Sequence, residues 1–178
     1  MTRILSALAL IFLLAACAAQ VDNMAVLTSP DVEAAAASKL AGKIHLERVS
    51  VAEKTSPFWT SEIGDEAFAF ALVQSLDSHK LLSPHELDAR YDLTAKLIKV
   101  DQQTTGFDLV VSTEVEYLLV DRNARRAFYH MAIVAPYKAK FSENAILTKR
   151  LQLANEGSIR KNIRKFISEI LAKAQELN

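Results

Sequence analysis

The sequence predicts an α+β fold, a two-layer sandwich in which two helices cover one face of a sheet of about four mostly antiparallel strands. Three observations support this prediction. Apolar and polar residues alternate with a period of two in the middle of the chain, and apolar residues recur at helical spacing in a segment on either side. A turn of five residues joins the last two predicted strands, as in an antiparallel hairpin. The predicted order of elements is β-α-β-β-β-α.

The first strand covers residues 44–51, where the apolar residues occupy even positions at first and odd positions later. This change of phase predicts a β-bulge or a bend within the strand. After Pro57, Thr60 or Ser61 can cap a helix whose first turns are acidic. The apolar stripe of this helix consists of Ile63, Ala67, Phe68, Ala71, Leu72 and Leu76. Residues 81–84 would end the helix.

Three strands follow and form a meander. The second strand turns Tyr91, Leu93, Ala95 and Leu97 to the core, and the third does the same with the odd-numbered residues from Phe107 to Leu119. Residues 121–125 form the hairpin turn, in which Asn123 can adopt a left-handed conformation. The fourth strand places Tyr129, Met131, Ile133 and Ala135 on one face, and Pro136 marks its end or an edge position.

The last element is helical, from Ser142 as the N-cap to Asn178. A straight helix of this length would span about 50 Å, which is more than we expect a domain of this size to accommodate. We therefore expect a kink or a break near Gly157, because glycine weakens a helix interior. Both helices can cover the same face of the sheet, which leaves the other face without a predicted cover.

The chain begins with the pattern of a secretory signal peptide. A cationic start at Arg3 precedes an apolar run over residues 4–14 and two alanines before Cys17. The run of about a dozen residues is shorter than the roughly 20 that cross a bilayer as a helix, so we expect it to be cleaved. Cys17 is the only cysteine, and an exported protein with a free thiol would carry a redox liability.

The run Leu14-Ala15-Ala16-Cys17 resembles the lipobox of bacterial lipoproteins. The resemblance implies that residues 1–16 are removed and that Cys17 receives a diacylglyceryl group and an amino-terminal acyl chain such as palmitate. A plain signal peptide with an incidental cysteine is the alternative. Because two or three acyl chains anchor stably where one does not, lipidation would hold the protein at its membrane.

Residues 17–42 are predicted to be the lipidated N-terminus and a tether, because they are alanine-rich and contain no large aromatic residue. Pro30 can start a short helix there. Residues 43–178 then form a single α+β domain. Ala18 and Ala19 follow Cys17, whereas lipoproteins held at the inner membrane of enteric bacteria typically have aspartate at the first of these positions. The expected location is therefore the periplasmic face of the outer membrane, with the inner membrane as the alternative.

The composition excludes several classes of chemistry. The 21 basic and 21 acidic residues balance, so nothing global indicates a nucleic-acid partner. Neither a metal site nor a cofactor is expected, because the four histidines are scattered and four glycines offer little material for a phosphate loop. Glu114 and Glu116 share one strand face and can serve either acid–base chemistry or an ordinary charged sheet face. The chain is therefore predicted not to be an enzyme, with catalysis from dispersed residues such as His130 as the remaining alternative.

Two groups of residues are candidates for contact with a partner or with lipid. The first is apolar and includes Trp59, before the first long helix, and residues predicted to lie on the sheet face opposite the core: Val110, Leu118, Val120, Phe128 and Val134. The alternatives are that the tether or the bent first strand covers these strand residues and that Trp59 anchors the edge of the core. The second group, Arg160, Lys161, Arg164 and Lys165, forms a cationic face of the last helix. It is either solvated or suited to anionic lipid or an acidic partner.

Three stretches carry a wider resemblance: residues 58–60, residues 89–93 and residues 150–160. Together with the order of elements, they resemble a family of small uncharacterised proteobacterial lipoproteins. More distantly, the order is similar to that of envelope-assembly lipoproteins, including the lipopolysaccharide-assembly lipoprotein and the auxiliary lipoproteins of ABC-type transport. An uncovered apolar surface beside a tether predicts a non-enzymatic accessory lipoprotein that supports envelope transport or assembly. It would bind an envelope protein partner through its open sheet face and its basic helix. A lipid- or small-ligand-binding module, with an apolar pocket between sheet and helices, is the alternative.

Overall fold

The computed structural model describes residues 24–51, 63–103 and 105–176. The elements are α1 (Val32–Ala36), β1 (Ile44–Val51), α2 (Asp65–Ser78), a 3₁₀-helix (Glu86–Asp88), β2 (Tyr91–Gln103), β3 (Leu109–Asp121), β4 (Arg126–Ala139) and α3 (Leu147–Glu176). The four strands form one sheet in the order β1-β2-β3-β4. Strand β1 is parallel to β2, and the other two pairs are antiparallel. This is the predicted α+β fold with its mostly antiparallel sheet.

Alternation along the strands determines which face of the sheet carries the helices. In β3 every odd-numbered residue is buried and every even-numbered residue is half-buried. Side chains from the buried face pack with α2 and α3 in one core, which includes Phe68, Leu93, Tyr117 and Phe166. The rings of Tyr117 and Phe166 stack in parallel with their centroids 4.2 Å apart. Both long helices therefore cover the same face, as predicted.

The change of phase in the first strand is a β-bulge, as the sequence predicts. Leu46 pairs with Leu93 and Arg48 with Thr94, so Glu47 is an extra residue on β1. The bulge brings Val49 and Val51 onto the face that Ile44 and Leu46 occupy before it. Without it, half of the apolar residues of β1 would face away from the core.

The last helix corrects two expectations. It begins at Leu147 rather than Ser142, and it runs without a break through Gly157 to Glu176. Its 30 residues span about 45 Å, which matches the length of β3 and β4, so a long sheet accommodates a long helix. A Cβ atom at Gly157 would lie 2.5 Å from the ring of Tyr137. The glycine therefore permits close packing of α3 on β4 and does not break the helix.

A buried polar cluster fastens α3 to the middle of the sheet. The Ser158 hydroxyl accepts a hydrogen bond from the Thr113 N–H (2.9 Å) and donates one to the Ala135 carbonyl (2.7 Å). The Asn162 amide donates to the carbonyls of Thr113 (3.1 Å) and Ile133 (2.8 Å). These side chains satisfy backbone groups that would otherwise be costly to bury, and they fix where the helix sits along the strands.

The segment before β1 corrects the predicted tether, because residues 24–42 pack on the domain. Met24 and Val26 are buried, and the Val26 N–H donates to the Ser75 hydroxyl at 2.9 Å. Ala35 and Leu40 also lie in the core. Small and medium apolar side chains can fill the space at the end of the helix layer without an aromatic anchor. Residues 17–23 lie outside the described residues.

The start of α2 and the β3–β4 turn also differ from expectation. Helix α2 begins at Asp65 with Gly64 as its N-cap, and the predicted caps Thr60 and Ser61 lie outside the described residues. In the β3–β4 turn, Arg125 rather than Asn123 has the positive φ, at 51°. The Asp121 carboxylate accepts the N–H groups of Asn123 and Ala124, which holds those residues in the turn ahead of the left-handed position.

The domain has two distinct ends. The hairpin end contains the start of β2, the β3–β4 turn and the end of α3, whereas the loop end contains residues 105–108 and 140–146 and the start of α3. The length of β3 separates these ends by about 40 Å. The segment at Met24 belongs to the hairpin end, because Val26 contacts the last turn of α2, whose chain continues to Leu81 beside Ile44.

Candidate contact surfaces

The sheet face opposite the helices carries two of the predicted contact residues, Val110 and Leu118, both half-buried. They do not form one apolar patch, because three polar residues of β3 separate them on that face: Ser112, Glu114 and Glu116. Glu116 pairs with His130 across the strands at 2.9 Å, and Lys96 lies opposite it on β2. Charged side chains therefore occupy the middle of this face, with the exposed Val134 opposite Glu114, which is the ordinary structural interpretation of the two glutamates.

Phe128 is the predicted contact residue that the structure moves to the other face. Val120 pairs with Ala127 and Leu119 with Tyr129, so Phe128 is an extra residue in a second β-bulge. Its ring packs on the buried Tyr91, with the centroids 5.2 Å apart. The bulge breaks the alternation from which the outward orientation was predicted, so Phe128 belongs to the core side.

The cationic face of α3 lies where the helical spacing predicts it. Lys161, Arg164 and Lys165 are exposed, and Arg160 is half-buried. The Lys161 ammonium donates to the Pro136 carbonyl at 3.0 Å, and Lys165 lies 4.0 Å from Glu169. The face therefore keeps most of its positive charge at the surface, which suits contact with an anionic group.

Besides Lys165, Glu169 contacts Tyr129, whose hydroxyl donates a hydrogen bond to the Glu169 carboxylate. Burial raises the pKa of Tyr129, and this hydrogen bond and the negative charge of Glu169 raise it further. Because the phenol stays protonated, it is a permanent donor that ties β4 to α3.

Two predicted site residues, Cys17 and Trp59, lie outside the described residues. Within the part of the chain that the structure describes, no group of three or more acidic, cysteine or histidine side chains could hold a metal ion. His79 is buried, with Nδ1 donating to the Ser75 carbonyl at 2.7 Å. None of the helices in the described ranges is long and apolar enough to span a membrane.

The loop end carries an apolar cluster that the sequence analysis missed. Four large side chains are exposed there, between 47% and 82%: Phe107, Phe141, Ile146 and Leu147, which we call the loop-end cluster. The rings of Phe107 and Phe141 meet edge to face with their centroids 6.2 Å apart. The Phe141 N–H donates to Asp108, and the Arg150 guanidinium lies 5.1 Å from the Phe141 ring, so neighbours from three segments fix the cluster.

Alternation placed Phe107 in the core, and the structure corrects this position. Gly106 has a φ of 111°, a conformation that interrupts the strand pattern, and β3 starts two residues after Phe107. Leu147 is the first residue of its helix and extends beyond the sheet. The signal in the sequence is Gly106 directly before Phe107. Glycine favours a loop at this point, so the strand can begin after the phenylalanine and leave its side chain outside the sheet.

Around Tyr117, side chains fill the interface between sheet and helices. Phe68, Tyr117 and Phe166 are fully buried there, and the rings of Tyr117 and Phe166 stack. Within the described ranges the Tyr117 hydroxyl has no hydrogen-bond partner, and burial raises the pKa of Tyr117 well above its usual value. The phenol therefore acts here as an uncharged, space-filling ring.

The fold defines the class to which this chain can be compared: α+β sandwich domains with two helices on one face of a four-stranded sheet. Solved structures of this class include a Xanthomonas campestris protein of the DUF330 family, with a TM-score of 0.58 and 12% identity over 75% of this chain and 86% of that one. A hypothetical protein of Chlamydia trachomatis has a TM-score of 0.56 and 14% identity over 75% of this chain and 97% of its own.

A Caulobacter crescentus protein described as a candidate lipoprotein has the same fold, with a TM-score of 0.52 and 12% identity over 83% of this chain and 97% of that one. No protein-family model and no curated protein matches the sequence. At these identities the likeness shows the fold alone. It confirms the expected distant, fold-level relationship to uncharacterised bacterial lipoproteins.

Proposed function

We propose that this chain is a lipid-anchored, non-enzymatic accessory protein of the bacterial envelope, which supports transport or assembly by binding a protein partner through its loop-end cluster. The observation that carries the proposal is that four exposed large apolar side chains, Phe107, Phe141, Ile146 and Leu147, lie together at one end of the domain. Aromatic side chains grouped in this way are typical of the centres of protein interfaces.

The apolar area of this cluster is sufficient for a binding interface. Burial of one such side chain contributes about 1.5–3 kcal/mol, so four neighbouring side chains can dominate a binding interface. Phe107 is 82% exposed, which leaves nearly its whole ring for a partner. Arg150 beneath Phe141 and Asp108 at its backbone hold the cluster in place before binding, which lowers the entropic cost of association.

The anchor supports the same arrangement. The seven residue steps from Cys17 to Met24 can span at most about 25 Å. Because Met24 lies at the hairpin end, a lipid on Cys17 would attach near that end and leave the loop end about 40 Å away from it. The cluster would then project from the periplasmic face of the outer membrane, or of the inner membrane, towards a partner protein.

The anchor is tested by membrane fractionation of cells that produce the full chain. Wild type is expected in the membrane fraction, with a label from a fatty-acid analogue, and Cys17→Ser is expected to lose both properties. Retention of Cys17→Ser at the membrane would contradict the anchor.

The partner surface is tested by complementation of a deletion strain that is scored for envelope permeability. We expect Phe107→Ser with Phe141→Ser to remain folded and membrane-bound but to fail in complementation. A photoreactive residue at position 107 should also crosslink to one envelope protein. The matched control is Phe70→Ser with Leu87→Ser, since these side chains are 61% and 94% exposed outside the cluster. Full complementation by the cluster variant, or normal permeability of the deletion strain, would overturn the proposal.

A further inference from the structure

A cavity of about 430 Å³ lies at the hairpin end of the domain. Its walls come from the segment after α1, the start of β2, the β3–β4 turn and the end of α3. Of the described residues that line it, Lys39, Arg90, Arg126 and Lys173 are cationic and Asp121 is the one carboxylate. These described lining residues therefore have a net charge of +3, from four positive groups and one negative group.

The carboxylate is already neutralised within the wall. Arg90 donates to one oxygen of Asp121 from Nε (3.1 Å) and Nη2 (2.8 Å), and the other oxygen accepts the N–H groups of Asn123 and Ala124. Among the described residues, the Arg126 guanidinium and the Lys173 ammonium have no acidic partner. Two cations thus face a common cavity without a counter-charge from this part of the protein, which favours an anionic ligand.

The remaining wall is aromatic and apolar. Phe128 and Tyr91 form a packed ring pair, and the Lys173 ammonium lies 5.9 Å from the centre of the Phe128 ring. Leu40 and Ala174 complete this side. A ligand that fits both walls carries an anionic group beside a short carbon skeleton. The volume suits a small molecule or a headgroup, at the lower end of the range for such sites.

We propose that this cavity binds a phosphate ester, with Arg126 and Lys173 as contacts for the phosphate and Phe128 with Tyr91 against the carbon skeleton. A phosphate monoester carries up to two negative charges and three terminal oxygens, so it can accept from both cations at once, whereas a carboxylate carries one charge. The ester comes either from a lipid headgroup or from a soluble metabolite. The ligand class follows from the cavity itself and does not depend on the anchor or on the loop-end partner.

The test uses the full-length chain purified in neutral detergent, with binding measured by calorimetry at low salt. The probes are glycerol 3-phosphate, inorganic phosphate and dihexanoyl phosphatidic acid, with glycerol as the uncharged comparison. Saturable binding of a phosphate ester is expected. Tighter binding of dihexanoyl phosphatidic acid than of glycerol 3-phosphate would assign the lipid headgroup as the source, and equal binding would assign the soluble ester.

The variants separate a specific site from general attraction between charges. Arg126→Gln with Lys173→Gln is expected to weaken binding by at least about tenfold. The matched control is Arg164→Gln with Lys165→Gln, which removes the same charge from exposed positions and leaves the cavity intact. Unchanged unfolding midpoints confirm that both variants are folded. Absence of saturable binding, or equal weakening in the control, would overturn the proposal, as would binding of inorganic phosphate alone.

Discussion

At the scale of single residues, Asp121 combines three structural roles. It ends β3, forms the β3–β4 turn by accepting two backbone N–H groups, and binds the Arg90 guanidinium beside the cavity. Burial alone would raise the pKa of Asp121. The hydrogen bonds from Arg90, Ala124 and Asn123 outweigh that effect and lower the pKa below its usual value.

Asp121 therefore makes stability depend on pH in a defined direction. A carboxyl group whose pKa is lowered by folding stabilises the protein above its pKa in the unfolded chain, which is about 3.9. This stabilisation is lost as the pH falls through the lower pKa of the folded state. We expect Asp121→Asn to reduce the free energy of unfolding by about 1–2 kcal/mol at pH 7, because the amide cannot accept from Arg90 as an anion does.

The measurement is urea unfolding of wild type and Asp121→Asn between pH 7 and pH 2. The difference between the two proteins should be constant above about pH 5 and shrink as the pH falls below about 3.9, because the wild-type carboxyl then begins to take up a proton. Asp88→Asn is the control, since Asp88 is exposed, and it should change stability little at any pH. A difference for Asp121→Asn that is the same at pH 2 and pH 7 would contradict the lowered pKa.

At the scale of elements, the β-bulges show what the sequence can and cannot predict. The bulge at Glu47 was predictable, because polar residues separate the apolar ones and the change from even to odd positions is visible. The bulge at Phe128 was not, because Ala127, Phe128 and Tyr129 are consecutive apolar residues, and a regular strand could turn either Phe128 or the other two to the core. Runs of apolar residues do not encode which side chain points inwards.

The candidate contact residues also divide into those that the sequence predicts and those that it does not. The cationic face of α3 was predictable, since Lys161, Arg164 and Lys165 follow from helical spacing alone. The loop-end cluster and the cavity were not, because each is assembled from segments that are distant in the sequence. Loops also have no periodicity from which the exposure of Phe107 or Phe141 could be deduced.

Helix α3 yields a prediction about its contact with β4. In an isolated helix, Gly157→Ala would be stabilising by up to about 1 kcal/mol. Here the new Cβ would lie 2.5 Å from the Tyr137 ring, so we expect a net loss of about 1–3 kcal/mol from overpacking. Thermal or urea unfolding of the full chain measures the change.

Tyr137 provides the control for this prediction. In a Tyr137→Ala background the ring is absent, so Gly157→Ala should be neutral or stabilising there. The double-mutant cycle isolates the steric contact from the other effects of the glycine. Equal destabilisation in both backgrounds would mean that Gly157 is needed for a reason other than its approach to Tyr137.

At the scale of the whole molecule, two different surfaces lie at opposite ends of an elongated sheet. The hairpin end carries the cationic cavity, and the buried Met24–Val26 segment brings the N-terminal side of the chain to the same end. The loop end carries the apolar cluster. A lipid on Cys17 would thus give the protein an orientation, with the cavity towards the bilayer and the cluster away from it.

This orientation can be measured because Cys17 is the only cysteine and lipidation would consume its thiol. A cysteine introduced at Ala124, on the hairpin turn, or at Glu143, in the loop end, can then carry a unique fluorophore. Both positions are exposed. With the lipidated protein in vesicles that contain nitroxide-labelled headgroups, we expect strong quenching at position 124 and little at position 143, since about 40 Å separates the two ends. Equal quenching would mean that the domain lies flat on the membrane, as the cationic face of α3 could favour. In that case the loop-end cluster would lie close to lipid, and the proposed protein partner would lose its main geometric support.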